Sequence, residues 1–241
     1  SAQEARRYAG GLSPRGAAAE GRVVRMRPDD HGPPPWSFRL SGKEPVILPA
    51  GIIEHRLYCG LRWKMRSGLR GTDETCDIDL SCVKFGQAGD CLGGVYFNEK
   101  EDLENGIHHS GDEVVGSPTS SDSEAIMLRL SDIKPEVHAL VFVMTIYSSE
   151  QSFDDVQECH LRIVDVTNDN KEFCRYERNT MSEGANGLVG AMLYRAGGGK
   201  WCFKAVDEIY ALPPNSSYRK LVPQMSTAVV QAGGVGFIPQ P

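Results

Sequence analysis

The chain has 241 residues, with 26 lysines and arginines against 32 aspartates and glutamates, and a formal net charge of −6. This acidic balance argues against a dedicated nucleic-acid-binding protein, because such proteins present clustered positive charge to phosphates. A hydrophobic content of 40% is enough for a packed core. No apolar run approaches the roughly 20 residues that a membrane-spanning helix needs, so no membrane span is predicted.

Seven cysteines are scattered along the chain without a C-x-x-C motif. An odd, irregular set of this kind predicts free thiols in an intracellular, reducing compartment rather than a disulfide framework. The chain opens with Ser1 rather than Met. We therefore expect a location in the cytoplasm, or in an organelle after removal of a presequence.

Residues 1–45 are rich in Gly, Ala, Pro and Arg and contain few residues that could form a core. This composition predicts an extended N-terminal segment that a partner holds in place. Trp36, Phe38 and Leu40 alternate with polar residues, which is typical of a short edge strand or of an anchor to another protein.

From residue 46 onward, apolar and polar residues alternate with the period of two that is typical of β-strands. The clearest case runs from Leu57 to Arg66. Further strands are predicted at residues 77–85, 94–98, 124–130, 138–147, 160–166, 172–176, 187–195 and 200–206. Short helical turns are expected at residues 131–135 and 149–156, and a long loop at residues 99–123. Short strands separated by Gly, Asn and Asp turns indicate a sandwich or a barrel.

The last 29 residues are Pro-rich and then Gly-rich, so residues 213–241 are predicted to be a tail that contributes no core. Phe237 and Ile238 in this tail, like Trp36 and Phe38 in the first segment, are candidate anchors for protein partners. Deleting both segments is expected to leave the domain folded and to weaken partner binding.

The stretch from Asp73 to Glu124 carries thirteen acidic residues and two lysines, a local charge of −11. Strand alternation places Asp77 and Asp79 on one face, roughly 7 Å apart along the strand. Crowded carboxylates repel one another, and a hard cation such as Ca²⁺, which takes six to eight oxygen ligands, would relieve that repulsion. A calcium site and a merely solvated acidic surface both fit this stretch.

Several motifs follow one another along the chain: L-R-W-K-M-R-S-G, D-I-D-L-S-C, V-Y-F-N, H-S-G-D, L-V-F-V-M-T-I-Y, Q-S-F-D-D-V, L-R-I-V-D-V-T-N, C-R-Y, A-M-L-Y-R and G-K-W-C-F-K-A-V-D-E-I-Y. In this order they resemble the tellurium-resistance TerD family of stress-protein, calcium-binding β-sandwich domains. The resemblance covers about residues 45–211. It implies an all-β fold: a two-sheet antiparallel β-sandwich over residues 46–212, with a few short helical turns and irregular N- and C-terminal extensions.

The resemblance also implies a calcium site in acidic loops at one end of the sandwich. Carried over position by position, it assigns ligands or loop glycines to Asp77, Asp79, Asp112, Asp122, Glu124, Gly111 and Gly116. Residues 113–123 depart from the family pattern, because Val, Ser, Thr and Pro replace several acidic residues. Fewer charged ligands weaken calcium binding, so a partly degenerate site with weak affinity is predicted.

The expected core consists of apolar residues that alternate along the predicted strands and should be buried between the two sheets: Leu57, Leu61, Trp63, Leu80, Val141, Val143, Ile163, Trp201 and Phe203.

Other chemistry is less well supported by the sequence. His108, His109 and Asp112 form a candidate transition-metal cluster, but adjacent histidines point in different directions. Cys159 and His160 face opposite sides of a strand, which argues against a nucleophile–base pair. The triple glycine at residues 197–199 lies between two strands and predicts a hairpin turn rather than a phosphate loop. A further alternative is that Asp77 and Asp79 act as the general acid and general base of a hydrolase.

Two functional hypotheses follow, and neither assigns an enzymatic activity to the chain. The first is a calcium-binding stress or signalling module that interacts with other proteins. The second is a structural subunit of a larger assembly, with a degenerate calcium site and with both terminal segments contacting partners.

Overall fold

The computed structural model describes residues 38–40, 44–66, 76–111, 122–147, 151–178 and 184–234. Almost all regular structure in these residues is β-strand, with short 3-10 turns between strands and one α-helix near the C-terminal end. The elements are β1 (Phe38–Leu40), β2 (Val46–Ile47), β3 (Leu57–Met65), β4 (Ile78–Phe85), β5 (Cys91–Val95), β6 (Glu101–Asp102), β7 (Ile107–His109), β8 (Glu124–Leu128), β9 (Ala139–Ile146), β10 (Val156–Asp165), β11 (Lys171–Arg178), β12 (Gly187–Ala196), β13 (Lys200–Tyr210) and α1 (Val222–Gly234).

The strands form two sheets that pack face to face. The first sheet has the order β1-β11-β10-β3-β8-β7-β6, and the second has the order β2-β13-β12-β9-β4-β5. Neighbouring strands run antiparallel, except that β1 runs parallel to β11 at one edge of the first sheet. This arrangement confirms the predicted two-sheet antiparallel sandwich. It also makes Phe38–Leu40 the edge strand that the alternation indicated, whereas Trp36 lies outside the described residues.

The main core lies between the two sheets, because alternate residues of each strand point toward the facing sheet. Seven of the predicted core residues lie in it: Leu57, Leu61, Trp63, Leu80, Ile163, Trp201 and Phe203. Val141 and Val143 are fully buried as predicted, but they lie in a second apolar cluster on the other face of β9. Their predicted location between the sheets was therefore wrong.

The second cluster forms because a C-terminal helix covers the outer face of the second sheet. A 3-10 turn at Tyr218–Leu221 leads into α1, and Leu221, Met225 and Val229 are fully buried in this cluster. The prediction that residues 213–241 contribute no core is thus wrong for residues 218–232, and the domain is no longer expected to stay folded when this segment is deleted. Apolar residues recur there every three or four positions, which is the helical period that the nearby Pro and Gly residues obscured.

Part of the predicted loop at residues 99–123 is also regular structure. Residues 101–109 form the short β6–β7 hairpin at the end of the first sheet, paired through Glu101 with His108 and through Asp102 with Ile107. Residues 112–121, which include Asp112 and Gly116, lie outside the described part, as do Phe237 and Ile238. Within the turn predicted at residues 149–156, Phe153–Asp155 form a 3-10 turn, with a capping box between Ser152 and Asp155.

All seven cysteines are free thiols, and all except Cys91 are buried. Burial raises the pKa of the Cys82 and Cys159 thiols to about 12, so they stay protonated and serve as small apolar residues of the core. No helix within the described residues is both long and apolar enough to cross a membrane.

Candidate functional site

Asp77 and Asp79 lie on the outer face of the second sheet. Ile78, Leu80 and Cys82 of β4 point into the core between the sheets, so the residues that alternate with them point outward. Val83 and Phe85 share this outward face and pack under α1, whereas Asp79 and Ser81 lie beyond the helix at the polar end of the strand. Alternation places Asp77, which directly precedes β4, on the same face as Asp79, and Asp79 is only 5% exposed.

Asp122 lies on the opposite side of the molecule, on the outer face of the first sheet. Its carboxylate accepts hydrogen bonds from Arg162 of β10, at 2.8 and 3.0 Å from Nε and 2.7 Å from Nη2. The side chain crosses β3 above Gly60, where a Cβ atom would come within 2.4 Å of Asp122 Oδ2. The absence of a side chain at Gly60 leaves room for this ion pair. The glycine in β3 therefore fits the pairing of Asp122 with Arg162.

The Asp122–Arg162 pair belongs to a larger charged network on the same face. Arg162 Nη1 also lies 3.4 Å from Glu172, which in turn accepts hydrogen bonds at 2.8 and 2.6 Å from Arg175. Burial and the nearby Asp122 carboxylate raise the pKa of Tyr58 beside this network to about 12. Positive and negative groups alternate along the network, so its carboxylates are neutralised without a metal ion.

Glu124 points inward and is bound to the backbone of β4. Its carboxylate accepts a hydrogen bond of 2.6 Å from the Leu80 amide, and its side chain is fully buried. The His109 ring, also fully buried, places Nε2 3.0 Å from the Leu80 carbonyl and 3.4 Å from Glu124. The Gly111 amide donates to His109 Nδ1 at 3.0 Å, so the proton of the ring is assigned to Nε2.

These contacts also argue against the alternative that His108 and His109 bind one transition-metal ion together. His109 uses both ring nitrogens inside the fold, whereas His108 points to the surface near Glu101. The two histidines therefore diverge, as adjacent residues of a strand must. Gly111, which has a φ of +124°, supplies its amide to His109, and this is the role that the structure gives to that predicted loop glycine.

The predicted calcium ligands are thus dispersed over three places. Asp77 and Asp79 lie outside the second sheet, Asp122 lies outside the first sheet, and Glu124 lies between them; Asp112 and Gly116 are outside the described residues. Within the described part of the chain, no group of three or more His, Cys, Asp or Glu residues could hold a metal ion. Asp77 and Asp79 supply only part of the six to eight oxygens that calcium takes.

A cleft opens at the polar end of the second sheet, directly over Asp79. Its floor is formed by Asp79, Ser81 and Thr145, and its volume is about 170 Å³. Residues 96–98, in the turn after β5, form one wall, and residues 217–219, before α1, form the other. The cleft therefore lies where the sandwich meets the C-terminal segment.

Aromatic side chains and one arginine line the mouth of the cleft. The Tyr96 and Tyr218 rings meet edge to face at 5.3 Å, and burial raises the pKa of Tyr218. The Arg219 guanidinium lies over both rings, at 5.4 Å from the centroid of Tyr96 and 5.6 Å from that of Tyr218. Sequence reasoning missed this site because it treated residues 213–241 as a tail.

The remaining sequence candidates have structural roles. Cys159 is buried and points into the core, whereas its neighbour His160 is half-buried on the other face of β10. The triple glycine forms a short turn between β12 and β13, with positive φ at Gly198 and Gly199. Both observations confirm the structural interpretation of these motifs.

Comparison with known proteins gives consistent matches over the sandwich. The TerD domain family matches residues 53–212. Tellurium resistance protein TerZ of Serratia marcescens is 31% identical over 157 residues, covering 63% of this chain and 78% of that protein. Stress response protein SCP2 of Bacillus subtilis is 30% identical over 141 residues, covering 57% of this chain and 69% of that protein.

A solved structure shares the fold. The crystal structure of a homologue of telluride resistance protein TerD from Streptomyces coelicolor superimposes with a TM-score of 0.53 at 17% identity, and the match covers 71% of this chain and 97% of that one. The family match ends at residue 212, so Tyr218, Arg219 and α1 lie beyond it.

Proposed function

Because this chain belongs to the TerD family, we propose that it is a non-enzymatic binding module of the stress and tellurium-resistance type, with its ligand site in the cleft above Asp79. The observation that carries this proposal is the position of Asp79. The residue is nearly buried, yet it lines an open cleft and is not part of the apolar core. Concave sites with apolar walls and a few convergent polar groups are the usual ligand sites of proteins.

The positions of the other acidic residues support this choice of site. Asp122 is held by Arg162, and Glu124 is held by the Leu80 amide and lies beside His109. Both residues therefore stabilise the sandwich itself. Asp79 differs from them in position, since it lines a cavity that can admit a ligand.

The proposal is tested by NMR titration of the full chain with small ions and molecules. A binding module with this site should show ligand-dependent shifts in the amides of Asp79, Thr145 and Tyr96 and in the side chain of Arg219, without turnover of the ligand. Perturbations confined to the first sheet would place the site elsewhere and contradict the proposal.

Calcium is a second candidate ligand, and the shared outer face of Asp77 and Asp79 favours it. If calcium binds there, it should stabilise the protein by about 2.7 kcal/mol at a hundredfold excess over the dissociation constant. Asp79→Asn should remove most of this gain and barely change the ion-free protein. Differential scanning calorimetry in calcium and in chelator measures both quantities.

Asp122→Asn is the matched control, because it removes a carboxylate that was also a predicted ligand. Since Asp122 pairs with Arg162, this substitution should lower the melting temperature equally with calcium and with chelator. A loss of the calcium-dependent gain in Asp122→Asn, or a melting temperature of the unmodified chain that calcium leaves unchanged, would count against calcium at the Asp77–Asp79 face.

The structural-subunit hypothesis places partner contacts in residues 1–45 and 213–241. In the described part, Phe38–Leu40 pairs with β11, and residues 218–232 pack on the second sheet of the same chain. These two segments therefore extend the domain itself. This favours the binding-module proposal over the structural-subunit one.

A further inference from the structure

We propose that the cleft binds a small zwitterion of amino-acid size, whose ammonium group contacts Asp79 and whose carboxylate contacts Arg219. This inference rests on the proposed location of the ligand site and adds the chemical class of the ligand. It involves Tyr218 and Arg219, which lie beyond the residues that the TerD family matches.

The floor of the cleft fits an ammonium group. Asp79 and Thr145 are directly paired across β4 and β9, and Ser81 is the next outward residue of β4. Each of the three is at most 5% exposed. An ammonium group has three donors and no acceptor, and this floor offers a carboxylate and two hydroxyl oxygens on the same face. Its negative charge selects a cation over a neutral group.

The mouth of the cleft fits a carboxylate. Arg219 is solvent-exposed and forms no ion pair with a carboxylate of the described residues. Its guanidinium is oriented by the faces of Tyr96 and Tyr218 and by a contact of 3.4 Å from Nη2 to Tyr96 Oη. A guanidinium oriented in this way can donate two parallel hydrogen bonds to a carboxylate.

The walls and the size of the cleft restrict the part of the ligand between its two charges. Phe97 and Tyr147 also line the cleft, so an aliphatic or otherwise apolar link between the two charged groups of the ligand is favoured. A volume of about 170 Å³ admits a free small molecule and not a folded partner. Opposite charges at floor and mouth disfavour a ligand that carries only one sign of charge.

The test uses zwitterions of increasing length: β-alanine, γ-aminobutyrate and ε-aminocaproate. Each is titrated into the full chain in the presence of chelator, and binding is followed by calorimetry and by amide shifts. We expect the zwitterion whose length fits the cleft to bind at least about tenfold more tightly than butylamine or butyrate, because each control lacks one charge-assisted hydrogen bond.

Substitutions in the cleft test which residue contacts each charged end of the ligand. Asp79→Asn and Arg219→Gln should each weaken binding about tenfold or more, whereas Lys220→Gln, an exposed neighbour that does not line the cleft, should leave binding unchanged. Arg219→Glu should change the preferred ligand of the cleft from the zwitterion to a diamine such as putrescine. A purely structural role of Arg219 would not produce this exchange.

The outcomes separate the two proposals. If calcium perturbs the cleft and none of the zwitterions does so in the millimolar range, the ligand site stands and the zwitterion assignment is wrong. If neither calcium nor any zwitterion perturbs the cleft, both proposals are wrong. Equal binding of butylamine and the zwitterions would also overturn the assignment, because it would show that Arg219 makes no contact with the ligand.

Discussion

Truncation of the chain after Leu212 should unfold the domain or bring it close to unfolding. Leu221, Met225 and Val229 are fully buried against the second sheet, and burying each such side chain contributes about 1.5–3 kcal/mol. Together they contribute roughly 5–9 kcal/mol before the conformational entropy of ordering the segment is subtracted. The total stability of a domain is typically only about 5–15 kcal/mol.

The truncation also uncovers the outer apolar face of the second sheet. Val83, Phe85, Val141 and Val143 lose the helix that covers them, and an exposed apolar patch of this kind promotes aggregation. Soluble yield and the midpoint of denaturant unfolding measure the effect. A truncated chain with the same midpoint as the full chain would show that the helix contributes nothing to stability.

A pair of adjacent valines in α1 provides a milder test with a matched control. Val229 is fully buried and Val230 is 46% exposed. Val229→Ala should lower the free energy of unfolding by about 2 kcal/mol, because it removes buried methyl groups and leaves a cavity. Val230→Ala should change it by no more than about 0.5 kcal/mol. Equal effects of the two substitutions would contradict the packing described for α1.

Replacing Arg162 by leucine should be the most destabilising single substitution on the outer face of the first sheet. The Asp122 side chain is 7% exposed and that of Glu172 is 5% exposed, and Arg162 bonds to both. Its removal leaves Asp122 as a nearly buried charge without the arginine. Breaking a buried pair in this way typically costs about 3–5 kcal/mol, measured here as the free energy of unfolding in urea.

Arg62→Leu is the matched control, since Arg62 lies in β3 on the same face and forms no ion pair with a described residue. It should change stability by no more than about 0.5 kcal/mol. The double variant Asp122→Asn with Arg162→Leu should be more stable than Arg162→Leu alone, because the unpaired charge is then absent. A double variant that is less stable than Arg162→Leu would contradict this account of the network.

The strands and the main core could be predicted from the sequence because each side chain obeys a local rule. Leu57, Leu61 and Trp63 alternate along β3, and a strand with one apolar face can bury it in only one way. Ala139–Ile146 is apolar on both faces, so alternation did not reveal which face of β9 meets the other sheet. Val141 and Val143 were assigned to the wrong side because the covering helix had not been recognised.

The dispersal of the acidic residues could not be predicted from local sequence. Asp122 and Glu124 are separated by one residue, so regular strand alternation would place both on the same face of the first sheet. However, β8 begins only at Glu124, and Asp122 before it lies on the outer face beside Arg162, whereas Glu124 points inward. Their partners, Arg162 and the Leu80 amide, are distant in the chain. Spacing indicated a common acidic site, and only the pairing of β3 with β8 and β10 shows that these carboxylates have separate roles.

The contacts at Leu80 have a further consequence for the edge of the second sheet. β5 pairs with β4 only as far as Cys82, so the backbone at Leu80 lies past the end of this neighbour. An open strand edge can recruit a strand from another chain and begin aggregation. Glu124 and His109 occupy the Leu80 amide and carbonyl, so they close the position that an intruding strand would need. We therefore expect these two side chains to hinder edge-to-edge self-association at this position.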